Sequence, residues 1–422
     1  MIKKLLFIAL GELSTGELII AREFAKNLPQ ENYQIHFLVS DLTKGVLGSR
    51  YRWKVTSLSP KDSWKKNRER ILSLIKEEHV HCALLFDVYT FEYAEKWTGV
   101  SLKDLQRLDL CLGSLDEYDY QSGDFKIDYY GLIVKKLPNL LRDLDFILKN
   151  CPLNMPKKES TEENLHYYKV LESQKPSEDR LQKKRKEYTR EGEKLVFFTL
   201  SKWELDNAYT FINHKLFIQS LLDCLYQYLA DTGLPIHLVH VGASLWEKPK
   251  NEIGRVRYTH FSSLEVEDFE ELLAAADLYI TYNLVSITLT KAVEFGIPAV
   301  VLNNDKILDF QKLERALETK PRWYREMAKK IRIVYPFDAS SFGWHYFLRE
   351  IKKGNIYMKT FTRLPLFKYK LVVESLKNLL ENGQTENCKK AIRDYQETKN
   401  KIPSPSQVME RVFQEQKREE GL

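Results

Sequence analysis

Short apolar runs alternate with amphipathic segments along most of the chain. The first run spans residues 5–10, a glycine-bearing loop follows at 11–17, and an amphipathic segment at 18–28 leads to a second apolar run at 35–39. A strand, a helix and another strand in this order form the βαβ unit of a parallel sheet. The pattern therefore predicts an α/β fold.

The same alternation fills the first 155 residues and starts again at residue 195. Apolar runs in the second half lie at 195–200, 237–241, 278–281 and 299–302. Residues 156–194 are rich in Lys, Glu, Arg and Ser, which is typical of a linker or of exposed helices. A chain of 422 residues is also longer than one hydrophobic core usually serves.

We therefore predict two doubly wound parallel-sheet domains, Rossmann-like in type, that face each other across a cleft. The first covers residues 1–155 and the second residues 195–365, with the charged linker between them. Residues 366–422 are expected to form C-terminal helices that can cross back to the first domain.

Composition narrows the functional classes. The formal net charge is +6, from 65 basic and 59 acidic residues, and each basic run is followed by a glutamate, which favours solvated faces over a nucleic-acid partner. Five scattered cysteines without CxxC spacing and the lack of an HExxH pair predict neither a metal site nor a cofactor. The first apolar run is too short for a signal peptide or a transmembrane helix, so we expect a cytoplasmic protein, with peripheral membrane contact left open.

Two loops lie where ligands settle in open α/β sheets, beyond the carboxyl ends of strands and at the starts of helices. In the first loop a glycine permits close approach of the backbone to a substrate, although a simple helix cap explains the residues equally well. In the second loop, hydroxyl groups can cap a helix and donate to a phosphate. The residues concerned are Ser14, Thr15, Gly16 and Glu17 in the first loop, and Asn283, Ser286 and Thr288 in the second.

Two aspartates, Asp87 and Asp116, each follow a predicted strand of the first half. A carboxylate at this edge can act as a general base toward an acceptor hydroxyl if burial raises its pKa toward neutrality. Most loop carboxylates are only solvated, so both interpretations stay open.

Residues 269–302 resemble the donor-site segment of GT-B glycosyltransferases. That segment runs through a helix, an Ala-Asp-Leu tripeptide, a strand, a loop, a second helix and a Gly-x-Pro turn, and here it includes Ala276-Asp277-Leu278 and Gly296-Ile297-Pro298. Within the superfamily, the first loop is similar in place to the N-terminal loop of the peptidoglycan lipid-intermediate N-acetylglucosaminyltransferases. An uncharacterised glycosyltransferase-like bacterial family is the other relative considered.

Two positions depart from that family's pattern. Family members commonly have a glutamate that binds the donor ribose five residues before the turn glycine, where this chain has Lys291, with Glu294 as the nearest acid. The histidine that usually closes the first loop is Glu17 here, and it can still act as a base. Lys291 is then expected to contact a donor phosphate.

The resemblance implies metal-independent glycosyl transfer, with a nucleotide-sugar donor in the second domain and an acceptor of unknown kind in the first. It assigns proton abstraction to Glu17 or Asp87. It assigns donor binding to Ser201, Lys202, Asn283, Ser286, Thr288, Lys291 and Glu294, and the acceptor-side loop to Ser14, Thr15, Gly16 and Asp116. The alternatives are a GT-B-like protein that binds a nucleotide or carbohydrate without turnover, and a nucleotide-sugar epimerase.

Overall fold

The structure, a computed structural model, describes most of the chain. The described residues are 2–12, 15–48, 53–120, 126–129, 133–156, 164–169, 175–200, 205, 212–242, 252–339 and 348–419. Within them the chain forms two seven-stranded sheets and two small two-stranded pairs, with helices on both faces of the large sheets.

The first sheet is wholly parallel, in the order β3-β2-β1-β4-β5-β8-β9. Its central strands are continuous apolar runs because helices cover both faces of a parallel sheet. The strands of this half are β1 (Lys3–Ala9), β2 (Tyr33–Ser40), β3 (Lys54–Leu58), β4 (Cys82–Leu85), β5 (Cys111–Leu115), β6 (Lys126–Tyr129), β7 (Ile133–Lys136), β8 (Phe146–Cys151) and β9 (Leu165–Lys169). The helices are α1 (Gly16–Lys26), α2 (Trp64–Glu77), α3 (Val88–Thr98) and α4 (Leu102–Gln106).

The second sheet has the order β12-β13-β11-β10-β14-β15-β18, parallel except for β12 at its edge. Its strands, with the small pair β16–β17, are β10 (Lys194–Leu200), β11 (Ile236–Gly242), β12 (Glu252–Ile253), β13 (Val256–Phe261), β14 (Leu278–Thr281), β15 (Ala299–Asn303), β16 (Leu308–Asp309), β17 (Ile333–Val334) and β18 (Thr362–Pro365). The helices from the linker onward are α5 (Glu178–Tyr188), α6 (Ile212–Asp231), α7 (Val266–Ala275), α8 (Ile287–Glu294), α9 (Glu314–Leu317), α10 (Arg322–Ile331), α11 (Arg349–Lys352), α12 (Tyr369–Asn382), α13 (Glu386–Asn400) and α14 (Pro405–Glu419).

Both sheets are wound outward from a central strand, which confirms the predicted fold class. In the first sheet, β2 and β3 lie on one side of β1, and β4 and the later strands lie on its other side. In the second sheet, β10 is the central strand that corresponds to β1, and β14 corresponds to β4. The point where the winding direction reverses is where open α/β sheets bind ligands, beyond the carboxyl ends of the strands. Each half therefore has one such edge, between β1 and β4 and between β10 and β14.

The segment 156–194 contains a strand that its composition does not predict. β9 pairs in parallel with β8 and completes the first sheet. Its residues alternate between partly exposed and buried positions, and the buried ones include His166 and Tyr168, so it lacks the continuous aliphatic run by which the other strands are recognised.

The C-terminal helix α14 packs on the first sheet. Its buried side chains Val408, Met409, Val412 and Phe413 join the cluster that contains Phe7 and Phe24. A second contact between the halves is polar, since the Asn355 side chain donates to the carbonyls of Pro152 and Leu153 at 3.0 and 2.9 Å. No helix in the described ranges is long and apolar enough to cross a membrane.

Candidate functional site

Three carboxyl groups gather at the edge between β1 and β4. Glu17 lies in the first turn of α1, Asp87 follows β4, and Glu117 follows β5. The Thr90 hydroxyl lies 2.8 Å from Glu17 Oε1 and 3.1 Å from Asp87 Oδ2, so it bridges two of them. We call Glu17, Asp87 and Glu117 the carboxyl cluster.

Asp87 is the anchored member of the carboxyl cluster. It caps α3, and its Oδ1 accepts the Tyr89 N–H at 2.9 Å. Its φ of +85° lies in a region that side chains other than glycine rarely adopt, a type of strain that occurs mostly at functional sites. Burial raises the Asp87 pKa, whereas the hydrogen bonds from Tyr89 and Thr90 act in the opposite direction by favouring the charged carboxylate.

The other two members have more strongly perturbed pKa values. Burial, together with the nearby Asp87 charge, raises the pKa of Glu17 well above its ordinary value and the pKa of Glu117 to about 8. Glu17 Oε2 is buried and accepts no hydrogen bond from any residue that the structure describes. Strong perturbation by burial and by a specific charge is typical of acid–base sites.

The Glu117 carboxyl predicts how stability depends on pH. Its ordinary pKa is 4.5, whereas the folded value is about 8. Between these values the folded chain binds more protons than the unfolded chain, so the free energy of unfolding falls as the pH rises from about 5 to about 8. Because glutamine does not titrate, Glu117→Gln is expected to flatten this fall, which denaturant unfolding at both pH values measures. An equally steep fall in both proteins would contradict the raised pKa.

Asp116, predicted on the acceptor side, is instead fully buried beneath this edge. Its Oδ1 accepts the Tyr120 N–H at 2.6 Å, and its Oδ2 lies 3.5 Å from Lys149 Nζ. Lys149 also pairs with Asp119, and all three charged side chains are buried. This arrangement explains Asp116 as part of a structural ion-pair network rather than as a group presented to a substrate.

Hydroxyl groups line the matching edge between β10 and β14. The phenol of Tyr279, fully buried in β14, lies 2.7 Å from Thr199 Oγ1. The side chains of Thr281, Ser286 and Thr288 lie close enough to this hydroxyl to lower its pKa, against the larger effect of burial, which raises it. The structure thus brings the two predicted residues Ser286 and Thr288 to the start of α8, beside two hydroxyls of neighbouring strands. We call Thr199, Thr281, Ser286 and Thr288 the hydroxyl cluster.

Replacing Tyr279 with phenylalanine is expected to lower the free energy of unfolding by about 0.5–1.5 kcal/mol, because the ring stays while the partly buried Thr199 hydroxyl loses its hydrogen bond to the phenol. Denaturant unfolding measures the change. The matched control is Tyr93→Phe, since the Tyr93 side chain is 64% exposed. Equal stabilities of the Tyr279 and Tyr93 variants would show that the Tyr279 hydroxyl does not organise this edge.

The other predicted donor residues have partners within the chain. Asn283 is buried, and its side-chain oxygen accepts the Val285 N–H at 2.9 Å, which shapes the loop before α8. Lys291 pairs with Glu270 of α7, and Glu294 pairs with Lys399 of α13. In this structure neither charge is presented unpaired to a ligand.

Thr15 and Gly16 form the start of α1. The Thr15 carbonyl accepts the Ile19 N–H at 3.0 Å, and its side chain makes no capping hydrogen bond. Ser14, Ser201 and Lys202 lie outside the described residues. Thr90, Glu117, Thr199 and Tyr279 were not among the predicted site residues.

A small cleft that is open to solvent lies between the two halves beside these edges. Glu117 and Asn150 line it from the first half, and Ile287 and Thr290 of α8 line it from the second. The carboxyl cluster thus has one member on the cleft wall, opposite the start of α8. Among the described residues, no group of three or more His, Cys, Asp or Glu side chains is placed to hold a metal ion.

Comparison with known proteins gives a family and a fold. Residues 24–421 match the family model described as a family of unknown function, DUF6365. No curated protein matches the sequence.

Three solved structures similar to this chain are named as glycosyltransferases. Spinosyn forosaminyltransferase SpnP is 9% identical, with a TM-score of 0.57 over 98% of each chain. Spinosyn rhamnosyltransferase SpnG, complexed with thymidine diphosphate, is 12% identical, with a TM-score of 0.54 over 98% of this chain and all of that one. SnogD from Streptomyces nogalater is 12% identical, with a TM-score of 0.53 over 98% of this chain and 99% of that one. Identities this low show the fold alone, which is that of GT-B glycosyltransferases.

Proposed function

This chain belongs to the DUF6365 family, and we propose that it transfers a sugar from a nucleotide-activated donor to an acceptor hydroxyl. One observation carries the proposal: Glu117 of the carboxyl cluster lines the same cleft as Val285 and Ile287, the residues on either side of Ser286 at the start of α8. Transfer from a diphosphate donor to a hydroxyl requires a base and a site for the departing diphosphate. The carboxyl cluster offers the base, and the start of α8 offers the site for the diphosphate.

The donor diphosphate binds at the start of α8. The first N–H groups of a helix have no partner within the helix and carry a partial positive charge, which suits a phosphate. Ser286 and Thr288 add hydroxyl donors at the same place, and Thr199 approaches from β10. SpnG was solved with thymidine diphosphate, which makes thymidine diphosphate sugars the first donors to test.

The acceptor binds against the carboxyl cluster. Its hydroxyl oxygen bonds to the anomeric carbon, the bond from that carbon to the diphosphate oxygen breaks, and the diphosphate leaves with the electron pair. The hydroxyl proton passes to Glu117, which lines the cleft and whose pKa of about 8 is close to neutrality. Asp87 contributes to this pKa through its charge and, with Thr90, holds Glu17 in place.

Transfer is proposed to need no metal ion, because the α8 start and the hydroxyl cluster can meet the charge on the leaving diphosphate. Unchanged transfer in the presence of EDTA supports this, and loss of transfer that Mg²⁺ restores contradicts it. A closer relation to the peptidoglycan lipid-intermediate N-acetylglucosaminyltransferases, and a cytoplasmic location, remain hypotheses.

A GT-B-like binding protein without turnover is the second candidate. The ion pairs of Lys291 with Glu270 and of Glu294 with Lys399 favour it, because the two charged side chains expected to hold the donor are already neutralised.

Release of nucleoside diphosphate separates the two candidates. The full chain is incubated with thymidine and uridine diphosphate sugars and a mixture of hydroxyl acceptors, and the free diphosphate is measured by chromatography. A transferase releases diphosphate faster when an acceptor is present, and the double change Ser286→Ala with Thr288→Ala slows the release. Binding of a nucleotide sugar without any release identifies the binding protein.

A further inference from the structure

The carboxyl groups beside the cleft indicate which kind of acceptor binds there. This inference rests on the proposed function. We propose that the acceptor carries an ammonium group, which the carboxyl cluster binds while a neighbouring hydroxyl of the same molecule accepts the sugar. The ammonium has no free electron pair, so it anchors the acceptor and leaves the attack to the hydroxyl.

Among the residues that the structure describes, the hydrogen-bond partners of the carboxyl cluster are neutral. They are the Thr90 hydroxyl, the Tyr89 N–H, and the side chains of Tyr118 and Asn150. The nearby cation, Lys149, is paired with Asp116 and Asp119. Charged carboxylates in this partly buried cluster are costly without a countercharge, and a ligand cation would offset the repulsion that raises the pKa values of Glu17 and Glu117.

Two buried oxygen atoms beside the cluster have no hydrogen-bond partner within the described part of the chain. Glu17 Oε2 is one, and the hydroxyl of Tyr168 is the other. Tyr168 is fully buried, and it lies near enough to Glu117 for the Glu117 charge to act on its hydroxyl. An ammonium group has three N–H donors, whereas a sugar hydroxyl has one, so an ammonium group can donate to more than one such oxygen.

Aromatic rings beside the cluster suit the same cation. The ring centroids of Tyr89 and Tyr120 are 4.5 Å apart, and those of Tyr118 and Tyr120 are 5.7 Å apart. Tyr118 also hydrogen-bonds Glu117, which ties the rings to the cluster. Aromatic faces attract ammonium groups. Single-ring amino sugars and aminocyclitols carry an ammonium group beside a hydroxyl, so they are suitable probes of this site.

Paired probes test this inference on the full chain. Glucosamine is compared with glucose, and 2-deoxystreptamine with myo-inositol, by thermal stabilisation in the presence of thymidine diphosphate. We expect each amine to bind at least about 10-fold more tightly than its neutral counterpart, as charge-assisted hydrogen bonds require. The double change Glu17→Gln with Glu117→Gln is expected to abolish the preference, and Glu17→Gln alone to weaken it. The control variant Glu381→Gln, at an exposed position of α12, is expected to keep the preference for amines.

The outcomes separate this inference from the proposed function. Equal binding of amines and neutral sugars, or an amine preference that survives the double change, overturns the inference. Stabilisation by Mg²⁺ alone that the double change removes also overturns it, because the cation would then be a metal. If nucleotides bind and amines do not, the inference fails while the proposed function stands. If amines bind through the cluster and nucleotides do not, the cation site stands and the transferase proposal fails.

Discussion

Replacing Glu117 with glutamine lowers kcat for sugar transfer by about 10²- to 10⁴-fold, the usual contribution of a general base. Glutamine keeps the size of the side chain and its place on the cleft wall, but it cannot accept the hydroxyl proton. Because the change also removes a buried carboxyl that Asp87 repels, we expect the folded state to be at least as stable as the original protein at about pH 8.

Activity and unfolding are measured on the same preparation, with Glu381→Gln as the control. A large loss of kcat with retained stability supports the assignment of Glu117 as the base. Retained kcat in Glu117→Gln would instead transfer that role to Glu17, the other cluster member with a strongly raised pKa.

The pH dependence of the transfer rate distinguishes a catalytic role of Glu117 from a purely structural one. In the original protein the rate is expected to rise with pH up to about 8, as Glu117 loses its proton. The charge of Asp87 helps to raise that pKa, so in Asp87→Asn the rise moves to lower pH. A profile that keeps its midpoint in Asp87→Asn would show that the two groups are not coupled.

Replacing Lys149 with methionine lowers the free energy of unfolding by about 3–5 kcal/mol, since removal of one partner from a buried ion pair leaves uncompensated charge. The Lys149 side chain is 2% exposed, and those of Asp116 and Asp119 are 0% and 3% exposed. Methionine fills similar space, so the loss reports the charge rather than a cavity. Urea unfolding at neutral pH measures it.

Lys66→Met is the matched control, because its pair with Asp62 joins side chains that are 58% and 30% exposed. Such an exposed ion pair contributes at most about 1 kcal/mol to the free energy of unfolding. Adding Asp119→Asn to Lys149→Met is expected to restore part of the lost stability. Similar losses in the Lys149 and Lys66 variants would contradict the interpretation of Lys149 as the cation of a buried network.

The order of strands and helices could be predicted because strands covered on both faces are continuous apolar runs. β14 begins and ends where its apolar run does, at Leu278–Thr281, and all four of its residues are buried. β9 could not be found in this way, since its sequence Leu-His-Tyr-Tyr-Lys reads as polar. Tyr168 nevertheless packs edge-on against Phe24, at a centroid distance of 4.9 Å.

The site was only partly predictable. The sequence places an acid after each of two strands, but it cannot tell which of the neighbours Asp116 and Glu117 lines the cleft. That outcome depends on Lys149, whose position across the sheet holds Asp116 below the surface. The partners of Lys291 and Glu294 lie 21 and 105 residues away in the sequence, so no local pattern shows that these charges are paired.

The most direct test of the central claim, a nucleotide-diphosphate site at the start of α8, is calorimetric titration of thymidine, uridine and guanosine diphosphates. We expect one of them to bind the original protein, and the double change Ser286→Ala with Thr288→Ala to weaken that binding by at least about 10-fold, as loss of two hydroxyl donors implies. Binding by none of the three, or equal binding in the double variant, would contradict the account.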